Sequence, residues 1–169
     1  MPEDPLWLDI FSEGMMVLVN VVMLLFLWFR KKRDLLSKEE NEVYEAFFSN
    51  FSSFEFFKLI RIAKWKNIEA KSLVIKKGSQ MENIYFLYDG GFNVHTNSNE
   101  VIELEPGHFV GERSYRTHEV ANADVKANQT SRVLVWVQEE LRELLKRNPS
   151  MEKDFTIALH EDLEKKLYR

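Results

Sequence analysis

The chain has 169 residues, of which 45% are hydrophobic and 13% aromatic. This length and composition favour one globular core with appended segments, because two full domains would need a longer chain. It has no cysteine, which excludes disulfide frameworks, thiolate zinc sites and cysteine nucleophiles. The charged residues of 1–29 are all acidic, so 30–169 has 23 basic and 23 acidic residues, and this neutral body argues against nucleic acid as a partner.

The first predicted element is a membrane-spanning helix. Residues 15–29 are apolar apart from Asn20, but at the helical rise they cover only about 22 Å of a roughly 30 Å hydrocarbon layer. Starting the helix at Leu6 makes it long enough and includes Asp9 and Glu13. Both carboxylates would then lie near the interface, where they are less costly than at the membrane centre.

A basic cluster at 30–33 follows directly, and the positive-inside rule places the chain after it in the cytoplasm. We therefore predict a single-pass protein with a membrane anchor at 1–33 and a cytoplasmic domain at 34–169. A cleaved signal peptide is an alternative that the acidic start and basic end disfavour. A buried core helix is a second alternative. Asn20 within the membrane would favour a partner span, from a second copy or another membrane protein.

Two amphipathic helices are predicted next. Ser37 and Glu40 have the spacing of a capping box, and apolar residues at helical spacing follow them. A second helix is predicted from about Ser53, with Trp65 at its end. Six of the thirteen phenylalanines lie at 47–57, which favours a helical layer packed on a flat surface.

The segment from about 66 to 137 has the pattern of an antiparallel β-sandwich or jelly roll. Short β-prone runs alternate with turn residues about every ten positions, as expected where each strand reverses before the next one pairs. The predicted strands are 73–77, 84–89, 92–96, 101–104, 123–127 and 130–137. The predicted fold class is therefore α+β, with a transmembrane helix followed by a β jelly roll that helices flank.

Helix is predicted to resume at Gln138 and, after Pro149, to continue to the chain end. Apolar residues recur every fourth position in the last helix, at Met151, Phe155, Leu159, Leu163 and Leu167. This stripe either packs on the sandwich or forms the seam of a homodimer, and the sequence leaves both interpretations open.

A turn after the strand at 101–104 has a distinctive sequence, Pro106-Gly107 followed by His108-Phe109-Val110-Gly111-Glu112-Arg113-Ser114. Together with Ile84-Tyr85-Phe86-Leu87 and Asp89-Gly90, it resembles the cyclic nucleotide-binding domain family, whose phosphate-binding cassette has this pattern. The resemblance covers about 45–148. It implies a regulatory jelly-roll domain with a cyclic nucleotide such as cAMP as ligand.

The two ends of the chain resemble Popeye-domain membrane proteins and their bacterial counterparts. The residues concerned are Pro5 to Phe11, Asn20, Val43-Tyr44, Phe47-Phe48, Ser131 to Trp136, Asn148-Pro149, Asp162-Leu163 and Lys166-Leu167-Tyr168. This resemblance implies a membrane-anchored protein that passes its ligand state to a membrane protein partner or within a homodimer. Members of that family have about three spans, so this chain looks like one that starts at the last span, either truncated or naturally short.

The cassette resemblance also assigns roles to single residues. Gly111 lets the backbone approach a cyclic phosphate, the amides near Ser114 face that phosphate, and Glu112 accepts a hydrogen bond from the ribose 2′-hydroxyl. The family's phosphate-clamping arginine falls at Ala121, so the bidentate cation is missing. A carboxylate at Asp124, three residues later, would add repulsion.

The missing cation leaves two interpretations of the site. Arg116 is the favoured substitute, with Arg113, His118 and Lys126 as others, and the domain is then a sensor of cAMP or a related ligand. Alternatively the cassette is vestigial and the protein is a ligand-independent membrane scaffold. The acidic motif that Popeye domains use instead is absent at 111–114. The predicted ligand-binding residues are Gly111, Glu112, Arg113, Ser114, Arg116 and Ala121.

Catalysis is not predicted, and neither is a metal or a resident cofactor. The four histidines, at 95, 108, 118 and 160, lack the spacing of a cupin metal site. No nucleophile elbow, Walker loop or paired-carboxylate motif occurs. A soluble jelly-roll enzyme is thus the weakest interpretation, and Gly111-Glu112 could also be a simple strand-end turn.

Overall fold

A computed structural model describes residues 6–31, 36–96 and 100–167. The chain divides into two compact units, Met1–Glu39 and Glu40–Arg169. The domain boundary predicted after 33, and part of the basic cluster before it, lie outside the described residues.

The first unit contains helix α1, Leu6–Lys31. Within it, Ile10–Leu27 is long and apolar enough to cross a membrane, and none of these residues is buried inside the protein. By length and composition this segment is a candidate span, and the same criteria admit a signal sequence.

Helices α2, Lys38–Phe47, and α3, Ser53–Arg61, come next in the chain, close to the predicted positions. A capping box sets the start of α3. The Oγ of Ser52 accepts a hydrogen bond from the backbone N–H of Glu55 at 3.3 Å, and Oε2 of Glu55 accepts one from the backbone N–H of Ser52 at 3.0 Å. These bonds satisfy N–H groups that would otherwise lack partners at the helix start.

Trp65 does not end α3, so that prediction was wrong. The helix stops at Arg61, and Trp65 lies in strand β1, Lys64–Ile68. Its backbone is in register with Leu134 across the sheet, and its ring lies under the guanidinium of Arg132. The strand was missed because its five residues are mostly polar and exposed, so their pairing depends on a strand almost seventy positions away.

The described residues form eight strands in two four-stranded antiparallel sheets. One sheet has the order β1-β8-β3-β6 and the other β2-β7-β4-β5. The strands after β1 are β2 Leu73–Ile75, β3 Asn83–Asp89, β4 Phe92–His95, β5 Val101–Leu104, β6 Phe109–Val110, β7 Asp124–Ala127 and β8 Ser131–Val137. All six predicted strands are confirmed, whereas β1 and the two-residue β6 were not predicted.

Strand β8 is buried on both faces because its sheet is covered on both sides. Val133 and Val135 belong to the core between the two sheets. Leu134 and Trp136, pointing the other way by the period of two in a strand, are fully buried under the helices. The indole N–H of Trp136 donates to the backbone carbonyl of Leu59 in α3 at 2.9 Å, which fixes that helix on the sheet.

Three helices complete the domain: α4 Glu112–Thr117, α5 Gln138–Lys146 and α6 Pro149–Leu167. Met151, Phe155 and Leu159 of α6 are at most 2% exposed, and the ring of Phe155 lies 5.7 Å from that of Phe109. The predicted stripe therefore packs within the chain through these residues, as the first of the two interpretations required.

Candidate functional site

A cavity of about 90 Å³ lies between the start of α4 and the loop that leads into β7. Its walls are residues 111–114 and 120–123 together with Ile75, Met81, Val94 and Val125. Of the predicted site residues, the structure brings together Gly111, Glu112, Arg113, Ser114 and Ala121. Arg116 does not line this cavity and is exposed in the last turn of α4.

Gly111 is required by the backbone at the start of α4. Its φ of +90° lies in the left-handed region, and a Cβ added there would come within 3.0 Å of the backbone oxygen of Asn83 and 3.1 Å of Cε of Met81. The glycine therefore lets the turn approach β3 closely, a role that does not depend on a ligand.

Glu112, the predicted ribose contact, is buried and ion-paired. The residue is 8% exposed, and its Oε1 lies 2.8 Å from Nζ of Lys166 in α6. Nζ also donates to the backbone oxygen of Phe109 at 2.5 Å and pairs with Oδ2 of Asp162 at 2.7 Å. The carboxylate of Glu112, a residue of the cavity wall, is thus held by α6.

Asp162 extends this contact to β6. Its Oδ1 lies 2.7 Å from Nδ1 of His108, and its Oδ2 accepts a hydrogen bond from the backbone N–H of Phe109 at 3.2 Å. Sequence reasoning did not assign His108, Asp162 or Lys166 to the site. The contacting residues, such as His108 with Asp162 and Glu112 with Lys166, are more than fifty positions apart, so no local spacing could have connected them.

Arg113 is the cation on the cavity wall. Its guanidinium lies 3.6 Å from a carboxylate oxygen of Glu119, and both side chains are about 60% exposed, so water screens this pair strongly. Ser114 is buried, and its hydroxyl donates to the backbone carbonyl of Glu119 at 2.6 Å. Arg113 is therefore free to reorient, whereas the hydroxyl of Ser114 is held by its hydrogen bond to Glu119.

Ala121 occupies the position of the missing arginine on the cavity wall. Its backbone N–H donates to Ser79 at 2.9 Å and its carbonyl accepts from Gly78 at 2.7 Å, so this part of the loop is fixed. Asp124 does not line the cavity, because its carboxylate accepts a hydrogen bond from the backbone N–H of Lys77 at 2.7 Å. Asn122, which was not predicted, lines the cavity, and the repulsion expected from Asp124 stays a prediction.

A wider cleft of about 630 Å³ adjoins the cavity and shares residues 120–122 with it. Lys77 and His118 contribute to its walls, and Val120 at the shared edge is 54% exposed. The cleft thus combines basic groups and the acidic Glu119 with an open apolar surface. Lys77 gave no signal in the sequence, since it approaches the cassette only through the pairing of β2 with β7.

Tyr115 ties α4 to α5. The guanidinium of Arg142 donates to the backbone carbonyl of Tyr115 and lies 4.2 Å from the centre of its ring. Burial raises the pKa of Tyr115 above its ordinary value, and Arg142 opposes this only partly. The phenol stays protonated at neutral pH and is unsuited to act as a base.

The described part of the chain contains no group of three or more histidine, aspartate or glutamate residues placed to hold a metal ion. The buried pair of His108 and Asp162 is used in the contact with α6.

Comparison with known proteins identifies the segment that contains the cavity. Residues 65–148 match the family described as cyclic nucleotide-binding domain. A protein of Rhodopseudomonas palustris, named as a candidate potassium channel protein, is 25% identical over 123 residues, which are 71% of this chain. The chain spans only 30% of the length of that curated relative.

Solved structures show the same fold. A candidate cyclic nucleotide-binding protein from Geobacter metallireducens is 19% identical, with a TM-score of 0.68, covering 78% of this chain and 99% of that one. The cAMP-bound structure of PfPKA-R is 20% identical, with a TM-score of 0.59, covering 78% of this chain and 48% of that one. At these identities the likeness concerns the fold.

Proposed function

Starting from the premise that residues 65–148 form a domain of the cyclic nucleotide-binding superfamily, we propose that this protein is a membrane-anchored regulatory domain that binds cAMP or a related ligand. The observation that carries the proposal is the cavity walled by Gly111, Glu112, Arg113 and Ser114 inside this fold. The protein acts by binding, with no catalytic step.

The two adjoining cavities together suit a nucleotide. The inner one, at about 90 Å³, is smaller than the roughly 300–1000 Å³ of typical small-molecule sites, whereas the outer cleft of about 630 Å³ falls within that range. We assign the sugar and phosphate to the inner cavity, next to Gly111 and Glu112. The base would occupy the outer cleft, against the exposed side chain of Val120.

The phosphate needs a cation other than the one missing at Ala121. Arg113 lines the inner cavity, where we place the phosphate, and is therefore better placed than Arg116, whereas Lys77 and His118 line the outer cleft beside the base. None of them is a buried arginine clamp. A charge-assisted pair contributes about 1.5–3 kcal/mol, and we expect affinity to be lower by a comparable amount.

A ligand-independent scaffold is the second candidate function, and two observations favour it. The arginine position holds Ala121, and an ion pair with Lys166 already engages the carboxylate of Glu112. In that case the cassette is a remnant of a binding site that serves only to join the sandwich to α6.

Membrane anchoring belongs to the same proposal. The apolar segment of α1 supports a single span, the positive-inside argument favours a cytoplasmic domain, and the Rhodopseudomonas palustris relative is named as a candidate potassium channel protein. Popeye-like organisation, with a membrane protein or a second copy of this chain as partner, fits that arrangement.

Isothermal titration of the full chain in mild detergent with cAMP and cGMP tests the ligand. Micromolar binding of either one, with no heat from 5′-AMP as control, supports the sensor. No heat at millimolar ligand, from protein shown to be folded by its melting transition, overturns the sensor and favours the scaffold.

A further inference from the structure

Helix α6 contacts Glu112, a residue of the cavity wall, through one ammonium group. Nζ of Lys166 lies within hydrogen-bond distance of three oxygens, those of Phe109, Asp162 and Glu112, at 2.5, 2.7 and 2.8 Å. A lysine ammonium has three donors, so all of them are satisfied. This set of contacts is called the Lys166 clamp below.

The side chains of the clamp are mostly buried, and one of its residues, Glu112, lines the cavity. The side chains of Lys166, Glu112 and Asp162 are 15%, 11% and 4% exposed. At such burial water screens the charges weakly, so removing one partner leaves the others poorly compensated. The geometry of Glu112 therefore depends on α6.

The two oxygens of Glu112 have different surroundings. Oε1 is bound by Lys166, whereas Oε2 accepts no hydrogen bond from any residue in the described ranges. Because Glu112 lines the cavity, a carboxylate fixed through one oxygen offers the other to a ligand hydroxyl without first having to be oriented.

We propose that Lys166 is a positioning residue of the nucleotide site, which holds the carboxylate of Glu112 for a ligand hydroxyl. This inference rests on the proposed function and adds to it the residue that orients Glu112.

The test uses the full chain in detergent, with Lys166→Met compared with Lys165→Met, a change at the exposed neighbouring position. Without ligand, amide hydrogen exchange by mass spectrometry should rise in 109–114 and 155–166 for Lys166→Met and stay at the wild-type level for Lys165→Met. Equal exchange in the two variants would overturn the clamp.

The ligand measurement uses the same variants with cAMP. Lys166→Met should weaken binding about tenfold or more, Lys165→Met should leave it unchanged, and Lys166→Arg should restore most of it. Adding Lys166→Met to Glu112→Gln should weaken binding little further, because the two residues act as a unit. This double variant removes both charges of the Glu112–Lys166 pair and leaves the carboxylate of Asp162 in contact with His108 and the backbone N–H of Phe109.

Two further outcomes separate the inference from the proposed function. Wild-type affinity in Lys166→Met, together with increased exchange, would show that α6 and the site are uncoupled and would overturn the positioning role. If the wild type binds neither cAMP nor cGMP, the proposed function fails and the positioning role fails with it. The exchange result then still decides whether the clamp holds α6.

Discussion

At the residue scale, Glu112 shows how one side chain serves both the fold and the site. The cassette resemblance suggests testing it by Glu112→Ala, which should affect ligand binding and spare stability. The ion pair with Lys166 changes that expectation, since truncation would leave a buried ammonium without one of its acceptors. Loss of stability in Glu112→Ala is therefore no evidence against a ligand role, and Glu112→Gln is the better variant.

The empty arginine position gives the first prediction. Ala121→Arg should strengthen cAMP binding about 10- to 150-fold, because a charge-assisted hydrogen-bonded pair contributes about 1.5–3 kcal/mol. The backbone of Ala121 is fixed by Ser79 and Gly78, so the new side chain starts from a defined place on the cavity wall. Calorimetry against wild type measures the change.

Ala121→Met is the matched control, with a long side chain and no charge. If the methionine variant gains as much affinity as the arginine variant, apolar contact rather than phosphate pairing explains the effect. If neither variant gains affinity and both remain folded, the inner cavity does not receive the phosphate.

At the scale of single elements, local hydrogen bonds decide where the short helices begin. Helix α3 has nine residues and starts with reciprocal bonds between Ser52 and Glu55. Hydrogen bonds from Ser52 hold the pKa of Glu55 below its ordinary value, although burial opposes them. A helix this short depends on such caps and on its packing against Trp136, because isolated short helices are marginal in water.

The second prediction concerns this cap. Ser52→Ala should lower the free energy of unfolding by about 0.5–2 kcal/mol at neutral pH, as loss of an N-cap typically does. Ser49→Ala, in the exposed turn before it, should have almost no effect. Denaturant unfolding of both variants measures the difference, and equal losses would show that the capping box does not stabilise the domain.

The same variant has a predicted pH dependence. The pKa of Glu55 is lower in the folded protein, so its contribution is present above the unfolded value of about 4.3 and is lost as the pH falls through the folded value. The stability difference between wild type and Ser52→Ala should therefore narrow on acidification below about pH 4.3. A difference that widens there would contradict the assignment of the bond to ionised Glu55.

At the scale of the whole molecule, the domain stacks a helical layer on one face of a sandwich. The sheet that contains β8 is covered on both faces, which explains why β8 is apolar along most of its length. The second sheet leaves residues such as Val101 and Glu103 exposed. The cavity and the Lys166 clamp lie on the side where α4 and α6 meet the strands.

The third prediction concerns the membrane. The full chain should stay in the pellet after alkaline carbonate extraction, because Ile10–Leu27 has the length and composition of a span. A chain without cysteine permits a clean topology test. Gln129→Cys, in an exposed turn, should react with a membrane-impermeant maleimide only after cells are opened.

Labelling in intact cells would place the domain outside and contradict the positive-inside argument. Release of the unmodified chain by carbonate would show that α1 does not span a membrane. Lys153→Cys, at a second exposed position in the same domain, should give the same labelling pattern and serves as the control.

The sequence by itself determined the α+β class, six of the eight described strands, the helical starts near Ser53 and Gln138, and the cavity residues at 111–114. Periodicity, turn residues and the cassette pattern are local properties, so they can be recognised from the sequence alone. Strand β1, which contains Trp65, could not be predicted from the sequence, because this mostly polar strand is stabilised by pairing with β8, far away in the chain.

Only the tertiary structure decided how the site is completed. In the folded chain Asn122 lines the cavity and Asp124 does not, and Lys77 lies beside residues 118–122. Lys166 contacts Glu112 and Asp162, and Asp162 contacts His108. Each of these contacts links elements far apart in sequence through burial and charge. Such pairings follow from how the sheets and helices pack, which no spacing along the chain encodes.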